Sequence, residues 1–139
     1  MPPLRVAAVD VGSLTVRLAV AEWVGPGQYR VLRHLQEVTG LGAGLAQSDA
    51  LDPEAMARTM KALHGFVLEM RAWGVKEVRV VATQAMRQAS NREEFLGRLR
   101  EELGLQVRVL SPEEEARLTL TGVLSALDPG YLEGPVVVF

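Results

Sequence analysis

Residues 4–23 read LRVAAVDVGSLTVRLAVAEW, two apolar, β-branched runs parted by Gly12 and Ser13. Leu4 to Val11 and Thr15 to Trp23 each have the length and residue types of a strand, and the Asp-Val-Gly-Ser junction is turn chemistry, so together they predict a hairpin. Gly25, Pro26 and Gly27 mark the next turn, and Tyr29 to Val38 alternates as a third strand of the same antiparallel meander. Thr39 to Leu51, with Gly40, Gly42, Gly44, Ser48 and Asp49, predicts a loop in which nothing packs strongly.

Beyond Leu51 the hydrophobic period changes. Asp52 is a good N-cap with Pro53 at the first helical position, and Met56, Met60, Leu63, Phe66, Val67, Met70 and Trp73 recur at helical spacing before Gly74. Glu77 to Thr83 holds Val78, Val80 and Val81 and predicts a buried strand, parallel to its neighbour because a helix precedes it. Asn91 and Glu94 predict a capping box ahead of a helix from Arg92 to Leu103, which Gly104 stops. Gln106 to Leu110 is the next strand. Ser111-Pro112-Glu113-Glu114 then repeats cap, N1 proline and box glutamate before a helix from Glu115 to Leu127, with its stripe at Ala116, Leu120, Val123, Leu124 and Leu127. Asp128 to Gly134 reads as a linker and Pro135 to Phe139 as a final strand. The order βββαβαβα plus one strand predicts an α/β fold, a mixed five-stranded sheet with helices packed on it.

Composition narrows the function. A chain of 139 residues fits one main lobe, and 48% hydrophobic with 23% charged residues is ordinary for a globular protein. A net charge of −2 provides no basic field, which argues against DNA or anionic lipid as a partner. Without cysteine there is no disulfide framework, thiolate metal site or thiol redox chemistry. No signal-peptide core opens the chain and no apolar run reaches about 18 residues, so the expected compartment is the cytoplasm.

Three stretches have the residue types for anion chemistry. Gly12 lets backbone amides approach an anion, Ser13 and Thr15 add hydroxyls, and Asp10 is a candidate metal ligand through water; an ordinary hairpin turn explains the same residues. TQAMR, Thr83 to Arg87, follows a parallel strand, where open α/β sheets bind ligands. Arg87 has the planar fork that clamps phosphate oxygens and Thr83 a hydroxyl, the alternative being a solvated arginine in a loop. SPEEEAR, Ser111 to Arg117, aims helix amides and carboxylates at the same edge. Spacing does not choose between Glu113, Glu114 and Glu115 as a proton acceptor, and all three also complement the helix dipole. Leu41 to Leu45 reads as a flexible flap, while His34 and His64 are too isolated to ligate a metal.

In this order and separation, AAVDVGS with VRL close behind, GLGAGL, LDPEAMARTMKAL, VRVVATQAMRQASN, LSPEEEARLTLTGVLSAL and the closing VVVF resemble the N-terminal part of the Ppx/GppA family of exopolyphosphatases and guanosine-pentaphosphate phosphohydrolases. The resemblance covers nearly the whole chain. It implies an actin-like, ribonuclease H-like lobe over residues 1–127, with 128–139 forming a linker and the first strand of a second lobe. It further implies Mg²⁺-assisted hydrolysis of the terminal phosphoanhydride of polyphosphate or of guanosine pentaphosphate (pppGpp). By position, Glu115 matches the water-activating glutamate, Thr83 and Arg87 the phosphate-clamping TxxxR stretch, and Gly12 and Ser13 the first phosphate loop.

Three departures stand out. Leu14 and Thr15 replace asparagine and serine of DxGSNS, and a leucine cannot hydrogen-bond phosphate. Pro112 replaces the glycine of SGxEEA, removing an N–H donor. The DxGGGS loop expected after Val138 is not in this sequence, so the chain by itself is expected to be inactive. A catalytically silent phosphate or nucleotide sensor, or a lobe of an actin-like sugar or acyl kinase, are the rival readings; oligomeric state, a homodimer included, stays open.

Overall fold

The computed structural model describes residues 3–118. Strand β1 (Arg5–Val11) lies at the centre of a sheet of order β3-β2-β1-β4-β5, formed with β2 (Thr15–Gly25), β3 (Gln28–Val38), β4 (Glu77–Ala82) and β5 (Val107–Val109). β1, β2 and β3 form the antiparallel meander, whereas β4 pairs parallel to β1 and β5 parallel to β4. The mixed five-stranded sheet expected from the sequence is therefore present.

Strand alternation divides β1 between two faces. Val9 and Val11 face the core with Val16, Leu18 and Val20 of β2 and Val80 and Ala82 of β4. On that core pack Met56, Leu63, Phe66, Val67 and Met70 of α2 (Pro53–Ala72) and Phe95 and Leu99 of α4 (Arg92–Leu103). Asp10 falls between the two buried valines and takes the other face, in register with Arg17 of β2 and Val81 of β4.

α2 begins as its cap predicts, the Asp52 carboxylate accepting from the Ala55 amide at 3.2 Å, and it ends before Gly74 at φ 69°. Glu22, a charge buried at the opposite end of the sheet from the loops described below, is bonded by Arg5 at 3.4 Å and by Arg30.

Three expectations need correction. First, residues 39–51 pack firmly: Leu41 is fully buried, Leu51 is 2% exposed and Thr39 3%. Two leucines anchor a polar, glycine-rich segment there, with Gly40 and Gly44 at positive φ letting the chain double back and a short helix, α1 (Leu45–Ser48), between. Second, Gln84 to Gln88 form a short helix, α3 (Gln84–Gln88), that the expected element order lacks, with Thr83 of TQAMR at its N-cap. Third, Asn91 caps no amide of α4; its Oδ1 accepts from the Leu51 amide at 2.8 Å and its Nδ2 donates to the Leu51 carbonyl at 3.2 Å. A buried backbone unit must find partners somewhere, and Asn91 supplies both. The helical stripe beyond 118, the linker, the last strand and the division at residues 127 and 128 lie outside the described residues.

These bonds separate two readings of Asn91. Asn91→Ala should lower unfolding stability by about 1–3 kcal/mol, because it strands a buried N–H and C=O. Glu94→Ala should change it by less than about 0.5 kcal/mol, because Glu94 closes no box. Urea melts of both variants measure this, and a large loss for Glu94→Ala would restore the capping box.

Candidate functional site

Because β1, β4 and β5 run parallel, the chain leaves all three at one edge of the sheet, where open α/β sheets gather ligands. The β1–β2 turn, the start of α3 and the helical residues 112–118 meet there.

The turn at 12–15 is closed by the Gly12 amide donating to the Thr15 carbonyl at 3.0 Å. A Cβ on Gly12 would lie 2.8 Å from that carbonyl oxygen, so glycine is required by sterics. Ser13 ties the turn to two neighbours: its Oγ accepts from the Ala85 amide at 3.1 Å, and its carbonyl accepts from the Gly42 amide at 2.9 Å. Thr83, which precedes α3, makes no side-chain cap, so the first-turn amide of that helix is satisfied by a serine from across the sheet. The Leu14 carbonyl accepts from Thr39 and Gly40, both at 3.0 Å, while the Leu14 side chain is 65% exposed. Residues 40–44 are therefore a brace under the turn rather than a flap; a Cβ on Gly42 would press on the Ser13 Cβ at 3.2 Å.

Arg87 extends from α3 and donates through Nη1 to the Leu110 carbonyl at 2.8 Å and to Glu115 Oε2 at 2.9 Å. The three adjacent glutamates separate by environment. Glu113 is exposed. Glu114 closes the reciprocal box with Ser111, accepting from its amide at 3.2 Å while its own amide donates to Ser111 Oγ at 3.1 Å. The Ser111 amide above all, with Arg108 beside it, holds the Glu114 carboxyl below the usual range. Glu115 alone of the three faces Arg87 and acts electrostatically on Asp10.

Burial pushes the Asp10 carboxyl up to about 6; Arg17 lowers it and the negative charge of Glu115 raises it further. Its Oδ1 is buried with no hydrogen-bond partner among the described residues. The structure thus gathers Asp10, Gly12, Ser13, Thr83, Arg87 and Glu115 at one edge, with Thr15 contributing its backbone carbonyl to the turn. His34 and His64 are exposed elsewhere on the surface. Arg17 and the Leu110 carbonyl are not singled out by the sequence, and Gly42 reads there as part of a flap. Arg17 was available from the turn, because closing 12–15 puts Val11 opposite Val16 and Asp10 opposite Arg17.

The raised Asp10 value has a consequence for stability. The folded protein holds this proton more tightly than a free aspartate of 3.8, so the stabilisation is complete below about pH 4 and is lost as pH rises through about 6. Asp10→Asn should therefore melt at a higher temperature than the parent near pH 8 and at about the same temperature near pH 4. Thermal melts across that range test it, and a constant difference would show that Asp10 does not titrate in this way.

The model of the Ppx/GppA phosphatase family matches residues 20–137. A crystal structure of the Aquifex aeolicus member of that family is 34% identical, with a TM-score of 0.83 over 91% of this chain and 41% of that one. An exopolyphosphatase from Cytophaga hutchinsonii is 28% identical, with a TM-score of 0.82 over 86% of this chain and 38% of that one. An exopolyphosphatase-like protein is 29% identical over 85% of this chain and 36% of its own, with a TM-score of 0.78. The chain thus spans well under half the length of these structures. Their fold is actin-like, of the ribonuclease H-like kind, and the mixed five-stranded sheet described above is of that kind. With more than half of its length matched by the family model, this chain belongs to the Ppx/GppA phosphatase family.

Proposed function

We propose that this lobe serves an exopolyphosphatase-type hydrolase that removes the terminal phosphate of polyphosphate or of pppGpp, with Glu115 as the water-activating base. The observation that carries the reading is the meeting of Glu115 with Arg87 and Asp10 beside the glycine-serine turn. Phosphoryl transfer needs positioning and charge stabilisation more than covalent help from the protein, and this edge offers both. Arg87 would hold phosphoryl oxygens, and the turn at Gly12 to Thr15 would lie against the phosphate chain. Glu115 would orient a water and accept its proton as the water oxygen bonds to phosphorus. The bridging P–O bond then breaks, leaving orthophosphate and a chain one phosphate shorter.

The residues fit the magnesium that the family implies. The buried Oδ1 of Asp10, without a hydrogen-bond partner among the described residues, is a hard oxygen donor, and Mg²⁺ typically takes one or two protein carboxylates, keeping its other positions for water and substrate phosphates. When bound, such an ion would neutralise charge on the phosphoryl oxygens. Asp10 would hold it, and the nearby Glu115 carboxylate would add to the negative field that attracts it. Among the described residues no group of three or more acidic or histidine side chains is placed to hold a metal ion.

Since the related structures extend far beyond the matched region, we propose that turnover belongs to the full-length protein and that this chain alone is inactive. A cytoplasmic setting is proposed with it; among the described residues no helix is long and apolar enough to cross a membrane. A phosphate sensor without turnover is the second reading, favoured by the exposed leucine at position 14.

In the full-length protein Glu115→Gln should slow hydrolysis by about 10²–10⁴ with binding retained. Glu113→Gln, on the same helix but exposed, should leave the rate near normal. Phosphate release from polyphosphate and pppGpp is the measurement. Full activity of Glu115→Gln, with an unchanged circular dichroism spectrum, would overturn the assignment; no turnover by the unmodified protein would favour the sensor.

A further inference from the structure

Arg87 does more in this structure than a phosphate clamp requires. Both of its bonds leave from Nη1, one to the Leu110 carbonyl at the end of β5 and one to Glu115. A guanidinium has five N–H donors in a rigid plane, two of them on each Nη. With Nη1 engaged twice, the hydrogens of Nε and Nη2 lie along the opposite edge, which has the spacing to pair with two oxygens of a phosphate. The carbonyl contact fixes the plane itself, because a backbone oxygen cannot swing away as a side chain can. Arg87 is 22% exposed at its side chain and Glu115 40%, so the pair is half-sheltered with a side open to solvent.

Glu115 needs such a support. It stands in the first turns of a helix whose cap is completed by Ser111 and Glu114, which sets its backbone, and the bond from Arg87 reaches its side chain. The Asp10 carboxylate nearby repels it electrostatically. The bond from Arg87 opposes that repulsion and selects one orientation.

We propose that Arg87 is a positioning residue for Glu115 as well as a phosphate ligand. One guanidinium, held by the Leu110 carbonyl, sets the base with Nη1 and takes the terminal phosphate with Nε and Nη2, and thereby fixes the distance between proton acceptor and phosphorus. This rests on the reading of Glu115 as the base. It differs from a clamp in a measurable way: a clamp contributes to binding whatever occupies position 115, whereas a bridge contributes to turnover only while Glu115 is there to be positioned.

The test is a double-mutant cycle in the full-length protein, with tripolyphosphate as substrate. Arg87→Lys has one nitrogen for three acceptors and should lower kcat by about 10²-fold, the effect of misplacing a reacting group by about 1 Å. In the Glu115→Gln background the same substitution should leave kcat nearly unchanged and raise only KM, since effects of residues acting as a unit do not add. Equal loss of kcat in both backgrounds would overturn the bridge and leave a clamp. Wild-type rates in Glu115→Gln alone would overturn the base assignment and this proposal with it, a distinct result. Arg87→Gln, nearly planar and neutral, stands in if Arg87→Lys does not fold. A carbon-13 spectrum of the glutamate carboxyls gives an independent readout: substitution of Arg87 should shift the Glu115 signal and leave that of Glu113 in place. An unmoved Glu115 signal would also refute the bridge.

Discussion

The centre of the sheet constrains everything else. β1 has β2 on one edge and β4 on the other, so its backbone is paired on both sides and its position is fixed by two registers. Val9 and Val11 are 0% and 1% exposed on the core face, which leaves Asp10 no freedom to rotate towards solvent through a register slip. A carboxylate held this way is desolvated, and burial raises its proton affinity as the largest single effect. Placing a charge on a central strand costs stability. The same rigidity gives its oxygen a defined place beside the turn that follows.

That turn is not an isolated hairpin tip. Two of its carbonyls and one hydroxyl accept bonds from Ala85, Gly42, Thr39 and Gly40, so three chain segments are locked together at the edge of the sheet. Backbone groups that a tight turn would leave exposed are satisfied by neighbouring loops, and the loops are ordered in exchange. Leu41, fully buried under the turn, adds an apolar anchor to the polar contacts. This edge is thus preformed, which would spare a ligand binding there the entropy of ordering these loops.

Charge at this edge is arranged in opposed pairs. Asp10 faces Arg17 across the hairpin, Glu115 faces Arg87, and the two carboxylates act on each other. Neighbouring carboxylates repel, and each is tolerated because a guanidinium stands beside it. A phosphate entering such a place would meet Arg87 already oriented by the Leu110 carbonyl and Glu115 rather than by water, the circumstance in which electrostatic stabilisation of a transition state is most effective.

What was legible in the sequence is what neighbours along the chain decide. The Asp52 cap with Pro53, the Ser111 and Glu114 box, and the glycines ending α2 and α4 were all readable, because each interaction spans only a few residues. Strand alternation likewise separated Asp10 from Val9 and Val11. Gly12, Ser13, Thr83, Arg87 and Glu115 could be named as candidates from residue type and from resemblance to a family, but no spacing distinguished Glu115 from Glu113. The tertiary structure decided the rest: the bond from Arg87 to Glu115 joins residues 28 apart, that from Asn91 to Leu51 residues 40 apart, and that from Ala85 to Ser13 residues 72 apart. The same folding turned the expected capping box at Asn91 into a tie between loops and the expected flap into a brace. A side chain's local propensity says which bonds it can make. Which one it does make depends on the buried backbone groups that the rest of the chain brings within reach.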